Sequence, residues 1–284
     1  MKNRVRVFLL AGLAAACLPA WSFTDAPDPV PLLNKLPAPP KSFAEAQARC
    51  ANPKEKGEYI PDPQSQALAD EVSKDLKSFE DTLNQQAKAN VAQAQAAAFD
   101  PQQGMALAQA MQAQTSNTMP PNADQLTAQI LAPVSKAAED SIQSNTKQEA
   151  DNGQSWQKKY DACGHLPGFL ATGCQKPLIS KANSDSDGYI KQRHGIMDKY
   201  YSDLNAAWPQ YVGGLHKFLD AQQFQMPQGV DPKGYQMQLL KATNQDQRLK
   251  TVQVAAHDAA EAICPHFMYE VDQRYGGICE GEGC

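Results

Sequence analysis

The chain has 284 residues, 20% of them charged, and a formal net charge of −5. That balance disfavours nonspecific nucleic-acid binding, which needs a basic surface, and docking on anionic lipid through a basic patch. Acidity of this size favours solubility and says nothing about fold.

Residues 1–22 read as an export signal. Lys2, Arg4 and Arg6 make a basic start, Val7 to Leu18 an apolar run, and Pro19 a break before Ala20-Trp21-Ser22. Small residues at 20 and 22 place the expected cut after Ser22. The run is too short to cross a bilayer, since a spanning helix needs roughly 20 apolar residues. No later segment reads as a membrane span. Ala14-Ala15-Ala16-Cys17 loosely resembles a lipobox, but the leucine expected three residues before the cysteine is missing. Periplasmic location is the expectation, and a membrane-anchored lipoprotein with a lipid at Cys17 is the alternative.

Residues 23–64 read as a proline-rich tether and a short helix. Six prolines fall in residues 25–41, and proline lacks the amide donor, so an extended, flexible tether is expected there. Ser42 and Glu45 form a capping-box pattern for a helix from Ser42 to Cys50, with 52–63 a loop.

Residues 65–121 read as a long helix and an arm. Leu68, Val72, Leu76, Phe79, Leu83 and Val91 recur at helical spacing from about Ser65 to Ala98. From Gln85 to Gln114, twenty of thirty residues are Ala or Gln. These favour helix but bury little apolar area, so this stretch is expected to project or fray.

Residues 122–284 read as the helical, disulfide-containing core. A second helix starts near Asp124 with Leu126, Ile130, Val134 and Ile142 on one face, kinks at Pro133, and turns polar from Ser144 to Gln154. A cysteine loop from Cys163 to about Asp187 follows. The third helix, about Tyr189 to Phe224, carries the stripe Met197, Tyr200, Tyr201, Leu204, Trp208, Tyr211 and Leu215, with bending expected at Pro209 and Gly213-Gly214. A fourth helix runs from about Tyr235 to Cys264, and Phe267, Val271 and Tyr275 suggest a last turn. The fold class is therefore all-α: an elongated antiparallel helical bundle stapled by disulfides.

Six cysteines follow the export signal: Cys50, Cys163, Cys174, Cys264, Cys279 and Cys284. An even number beyond a signal implies disulfides. The short Gly- and Pro-containing loop between Cys163 and Cys174 makes that pairing cheap to close. One of Cys264, Cys279 and Cys284 is expected to reach Cys50. No CxxC pair or HExxH sequence suggests a metal site, and no cofactor is expected.

Asn183 to Ile190 resembles the opening of an EF-hand calcium loop, but Asn183 stands at the first place and His194 at the twelfth, where a glutamate should close the site. Capping of a helix N-terminus accounts for these residues more simply. No GxSxG or SxxK occurs, and Cys163–His165 and Cys264–His266 are spaced wrongly for a helical thiolate–imidazole pair. The carboxylate neighbours Asp70-Glu71, Glu80-Asp81 and Glu139-Asp140 read as solvated faces.

The sequence thus leans away from an enzyme. The leading expectation is a non-catalytic interaction protein of the periplasm or cell envelope, whose Ala/Gln-rich arm packs on another envelope protein, for instance in an assembly or secretion system. The alternative is a small-molecule binder or enzyme with a site between the third and fourth helices, where His194, His216 or His257 would converge.

Overall fold

The computed structural model describes residues 28–50, 60–94, 120–224 and 235–278. The export signal with Cys17, most of the Ala/Gln-rich arm, and Cys279 and Cys284 lie outside them. Every regular element among the described residues is helical.

From Asp28 onward the proline-rich segment is described and lies against the body. Helix α1 (Pro29–Leu33) starts on Asp28, whose carboxylate accepts from the Val30 amide at 3.1 Å. Pro29 and Pro31 fall in its first turn, where a missing amide costs nothing. Leu32 and Leu33 then enter the core. The chain continues along the body, with Asn205 donating to the Pro40 carbonyl at 2.6 Å. Helix α2 (Phe43–Arg49) is capped by Ser42, which accepts from the Glu45 amide at 3.3 Å.

Helix α3 (Pro63–Ala94) begins two residues before the periodicity suggests. Asp62 accepts from the Ser65 amide at 2.9 Å, and Pro63 occupies the first helical position. Arg49 clamps the Asp62 carboxylate at 2.6 and 2.7 Å, tying α2 to the start of α3. Burial alone would push the Asp62 carboxyl up. The hydrogen bonds from Arg49 and Ser65 outweigh it and hold the carboxyl below its usual range.

Asn122 and Gln125 form a reciprocal capping box at α4 (Ala123–Leu126). A π-helical turn, Thr127–Leu131, leads into α5 (Ala132–Cys163). The Ala132 amide reaches back to the Thr127 carbonyl. This wider turn stands where Pro133 was expected to kink the helix, and it gives the proline ring room against the preceding turn.

Four residues then reverse the chain into α6 (Gly168–Ala221), a helix of 54 residues. At 1.5 Å per residue it is about 80 Å long. The cysteine loop expected to reach Asp187 is thus only a tight turn. Asn183 to Ile190 lies inside the helix and is neither a calcium loop nor a helix start. Helix α6 runs on through Pro177, Pro209 and Gly213-Gly214. At Gly214 the Leu126 side chain packs close to the backbone, since a Cβ there would sit 2.6 Å from Leu126 Cδ2.

Helices α5 and α6 form an antiparallel hairpin. Thr127 lies beside Tyr211, Ser135 beside Tyr200, Asn145 beside Gln192, and Trp156 beside Asp185. Helix α7 (Tyr235–Ile263) pairs antiparallel with α3: the Asp62 amide donates to Ala260, Gln253 meets Ser73, and Lys250 meets Glu80. The two helix pairs meet over Val72, Met197, Tyr201, Leu204, Leu249 and Val252, all fully buried. Ala255, Ala256 and Ala259 are also fully buried and let α7 approach closely. Tyr200 and Tyr201 hand their hydroxyls to the carbonyls of Ala262 and Ile263 at 2.5 and 2.9 Å. Cys50 is bonded to Cys264, and a 3₁₀ turn (His266–Glu270) follows.

Candidate functional site

The polar stretch of α5 from Ser144 to Gln154 is not simply a solvated face. Asn145, Glu149 and Gly153 turn inward and hold the C-terminal segment against the hairpin. Arg193, with no exposed surface, meets Glu149 at 2.5 Å and Asn145 at 3.0 Å. It also donates to the carbonyls of Val271 and Gln273 at 2.9 and 2.5 Å. Glu149 further accepts from the Tyr275 amide at 3.1 Å and from the Ser186 hydroxyl. A glycine in mid-helix usually weakens it, but Gly153 has a reason. A Cβ there would lie 2.4 Å from Gly276 Cα, and one on Gly276 would lie 2.2 Å from the Glu149 carbonyl oxygen. Every strong donor and acceptor in this cluster is engaged within the protein, so it is a structural lock and offers no free group to a substrate.

Beyond Gly153 on α5 and Asn183 on α6 the described chain is a bare two-helix projection. Its neck is tied by Trp156, whose indole donates to Asp185 at 3.0 Å while Lys159 stacks over the ring at 4.0 Å. Partial burial alone would raise the Asp185 carboxyl, but hydrogen bonds from Lys181, Asn152 and Trp156 lower it on balance. At the end, Cys163 is bonded to Cys174, the pairing that the short intervening loop predicts. The reversal is held by the Leu166 amide on the Cys163 carbonyl at 3.1 Å and the Leu170 amide on the Pro167 carbonyl at 2.8 Å. The apolar residues of this tip point outward: Phe169 is 82% exposed, Leu170 48% and Leu166 43%. A shallow groove of about 630 Å³, lined by Phe169, Thr172, Gly173, Lys176, Pro177 and Ser180, runs down from it. The apolar run Leu166-Pro167-Gly168-Phe169-Leu170 between two cysteines was the sequence signal for this feature.

A second crevice, about 440 Å³, lies where the π-helical turn meets the end of α7. Thr127 donates to Asp258 at 2.6 Å and meets Tyr211 at 3.3 Å, and Ser135 meets Tyr200 at 3.3 Å. Burial pushes the Asp258 carboxyl up, with nearby Asp124 and Glu261 adding to the rise; Thr127 and His257 pull it the other way. Burial raises the phenols of Tyr200 and Tyr211 as well. These groups answer one another, and none is aimed unpartnered into the crevice.

No family model, curated protein or solved structure matches this chain.

The other residues singled out in the sequence are dispersed. His194 meets Asp272 at 2.7 Å and packs edge-on to Phe43. His257 lies 3.8 Å from Glu261, and His266 lies 3.5 Å from Glu139. His216 sits on α6, 22 residues from His194. Cys163 and Cys264 are both bridged, so neither offers a thiolate to its neighbouring histidine. The aromatic stripe of α6 is core. Among the described residues no group of three His, Cys, Asp or Glu side chains is placed to hold a metal ion. No helix among them is long and apolar enough to cross a membrane.

Proposed function

We propose that this chain is a non-catalytic interaction protein of the cell envelope that acts by contact, presenting the tip of the α5–α6 hairpin to another envelope component. The outward-facing Phe169, flanked by Leu166 and Leu170 on a disulfide-braced turn, carries this reading. Large apolar side chains grouped at the end of a projection cost solubility unless a surface covers them, and such patches mark interaction sites. The basic, apolar opening of residues 1–22 and the two disulfides support export.

The opposite end supplies a second contact region. Asp62 is level with the end of α7, and α3 leads away from the tip, so the last described residue of α3, Ala94, lies toward the far end. A helix rich in Ala and Gln gains stability by packing on a partner. A protein contact there and a tip contact at the other end make the molecule a spacer.

The test is site-specific photocrosslinking in the native envelope, with a photoreactive phenylalanine analogue in place of Phe169 and, as control, in place of Lys136 on exposed α5 surface. Adducts from position 169 alone are expected; their absence, or equal adducts from both positions, overturns the reading. The mass of the mature N-terminus distinguishes cleavage after Ser22 from an acyl anchor at Cys17.

A further inference from the structure

We infer that the tip docks on an anionic bilayer surface, inserting Leu166, Phe169 and Leu170 while a collar of lysines meets lipid phosphates; this rests on the tip being the contact element proposed above.

Charge distribution is the first argument. From Trp156 to Lys181 the chain carries Lys158, Lys159, Lys176 and Lys181 against the single acid Asp161, in a protein whose overall charge is −5. Lys158, Lys159 and Lys176 are exposed. Neither Lys158 nor Lys176 has an ion-pair partner among the described residues, whereas lysines 136, 147 and 199 along the same two helices each pair with an aspartate four residues on. Lys191 and Lys217 farther along α6 also have no ion-pair partner among the described residues, so what sets the tip apart is its local balance of four lysines against one acid. Net charge hides this, because the acidic residues lie on the body.

Depth is the second argument. Helix α5 ends at Cys163 and α6 begins at Gly168. At 1.5 Å per residue, Lys159 and Lys158 stand about 6–8 Å back from the turn and Lys176 about 12 Å back. An interfacial element buries its apolar part about 5–10 Å into the headgroup and acyl boundary. With the apolar turn at that depth, the three lysines sit at phosphate level on both helices. Trp156 and Tyr160, half-buried on α5, fall in the same band, where amphipathic aromatic rings are favoured.

Shape is the third. The tip is convex and its groove is shallow and open, so it offers no cleft to seize a peptide. A convex apolar end with a basic collar complements a deformable anionic surface.

The experiment is flotation of the full mature chain with vesicles of phosphatidylcholine alone or with 30% phosphatidylglycerol, at low and at physiological salt. Binding should require phosphatidylglycerol and weaken as salt rises, because each lysine near the surface contributes about fivefold in affinity. Phe169→Ser with Leu170→Ser should weaken binding at least tenfold. Lys158→Gln with Lys176→Gln should weaken it about 25-fold by the same per-lysine factor. All four positions are exposed, so an unchanged melting transition is expected and confirms that folding is intact. Vesicle binding that is absent, or indifferent to these substitutions, overturns the proposal. In the envelope crosslinking at position 169, lipid adducts support it. Protein adducts overturn it while leaving the contact role of the tip standing, and no adducts at position 169 overturn both.

Discussion

The interaction most exposed to a single substitution is the buried pair of Arg193 and Glu149. Both side chains are essentially inaccessible, at 0% and 1% exposure. Arg193→Met keeps the bulk of the side chain but leaves the Glu149 carboxylate without its counter-ion and the carbonyls of Val271 and Gln273 without a donor. Removing one partner of a buried pair costs about 3–5 kcal/mol, because the remaining charge stays desolvated. For a body of this size that corresponds to a fall in melting temperature of roughly 10 °C. The double replacement Glu149→Met with Arg193→Met should cost much less than the single change, since it removes the stranded charge with its partner. Amide hydrogen exchange over residues 271–278 should quicken in both, because the tail loses its arginine in either case. Denaturant unfolding followed by circular dichroism gives the energies, and exchange gives the location. A loss below about 1 kcal/mol for the single variant, which is ordinary for a random substitution, would refute the reasoning. So would a double variant less stable than Arg193→Met.

Other expectations follow from the same structure. Cys50–Cys264 closes a separation of 214 residues and Cys163–Cys174 one of 11. Replacing each pair by serine should cost about 5 and about 3 kcal/mol respectively by the chain-entropy argument; equal losses in denaturant titrations would contradict it. Gly276→Ala drives a methyl into the Glu149 backbone and should cost about 1–3 kcal/mol. Gly188→Ala, on α6 with nothing near its Cβ position, should stabilise by up to about 1 kcal/mol. Melting curves showing the same sign for both would count against the close approach seen at Gly276. The Asp62 carboxyl is held below its usual range, so its contribution is present above the unfolded value near pH 4 and is lost as pH falls through the lower folded value. Asp62→Asn should therefore destabilise at neutral pH and flatten the loss of stability on acidification; an unchanged acid limb would show that Asp62 contributes nothing there.

Much of the helical organisation was legible because it rests on local chemistry. Periodicity placed α3 and α7, and the aromatic stripe of α6 was read correctly as a buried face. Ser42 and the Cys163–Cys174 spacing act over a few residues and were read for what they do. The start of α3 was missed by two residues, although Asp62-Pro63 is itself a helix-start signal. The structure departs furthest from sequence expectation between Cys163 and Asp187. Pro177, the glycines and the run of Asn, Ser and Asp suggested a loop, because taken alone these residues have poor helix propensity. In the protein α5 lies alongside them, and the burial of Ala182 and Ser186, with the Ser186 hydroxyl on Glu149 of α5, favours helix.

The sequence by itself determined the helical class, the positions of most apolar faces and the Cys163–Cys174 bridge, since these depend on periodicity and chain distance, while the choice of Cys264 as the partner of Cys50 came from the tertiary structure. Only the tertiary structure decided what the polar face of α5 is for and where the apolar residues near the cysteines point. Glu149 and Arg193 are 44 residues apart and read as surface charges until two helices and the C-terminal segment enclose them. Phe169 and Leu170 would pass for core until the hairpin carries them to its exposed end. Both outcomes are set by which elements surround a side chain, and local spacing does not encode that.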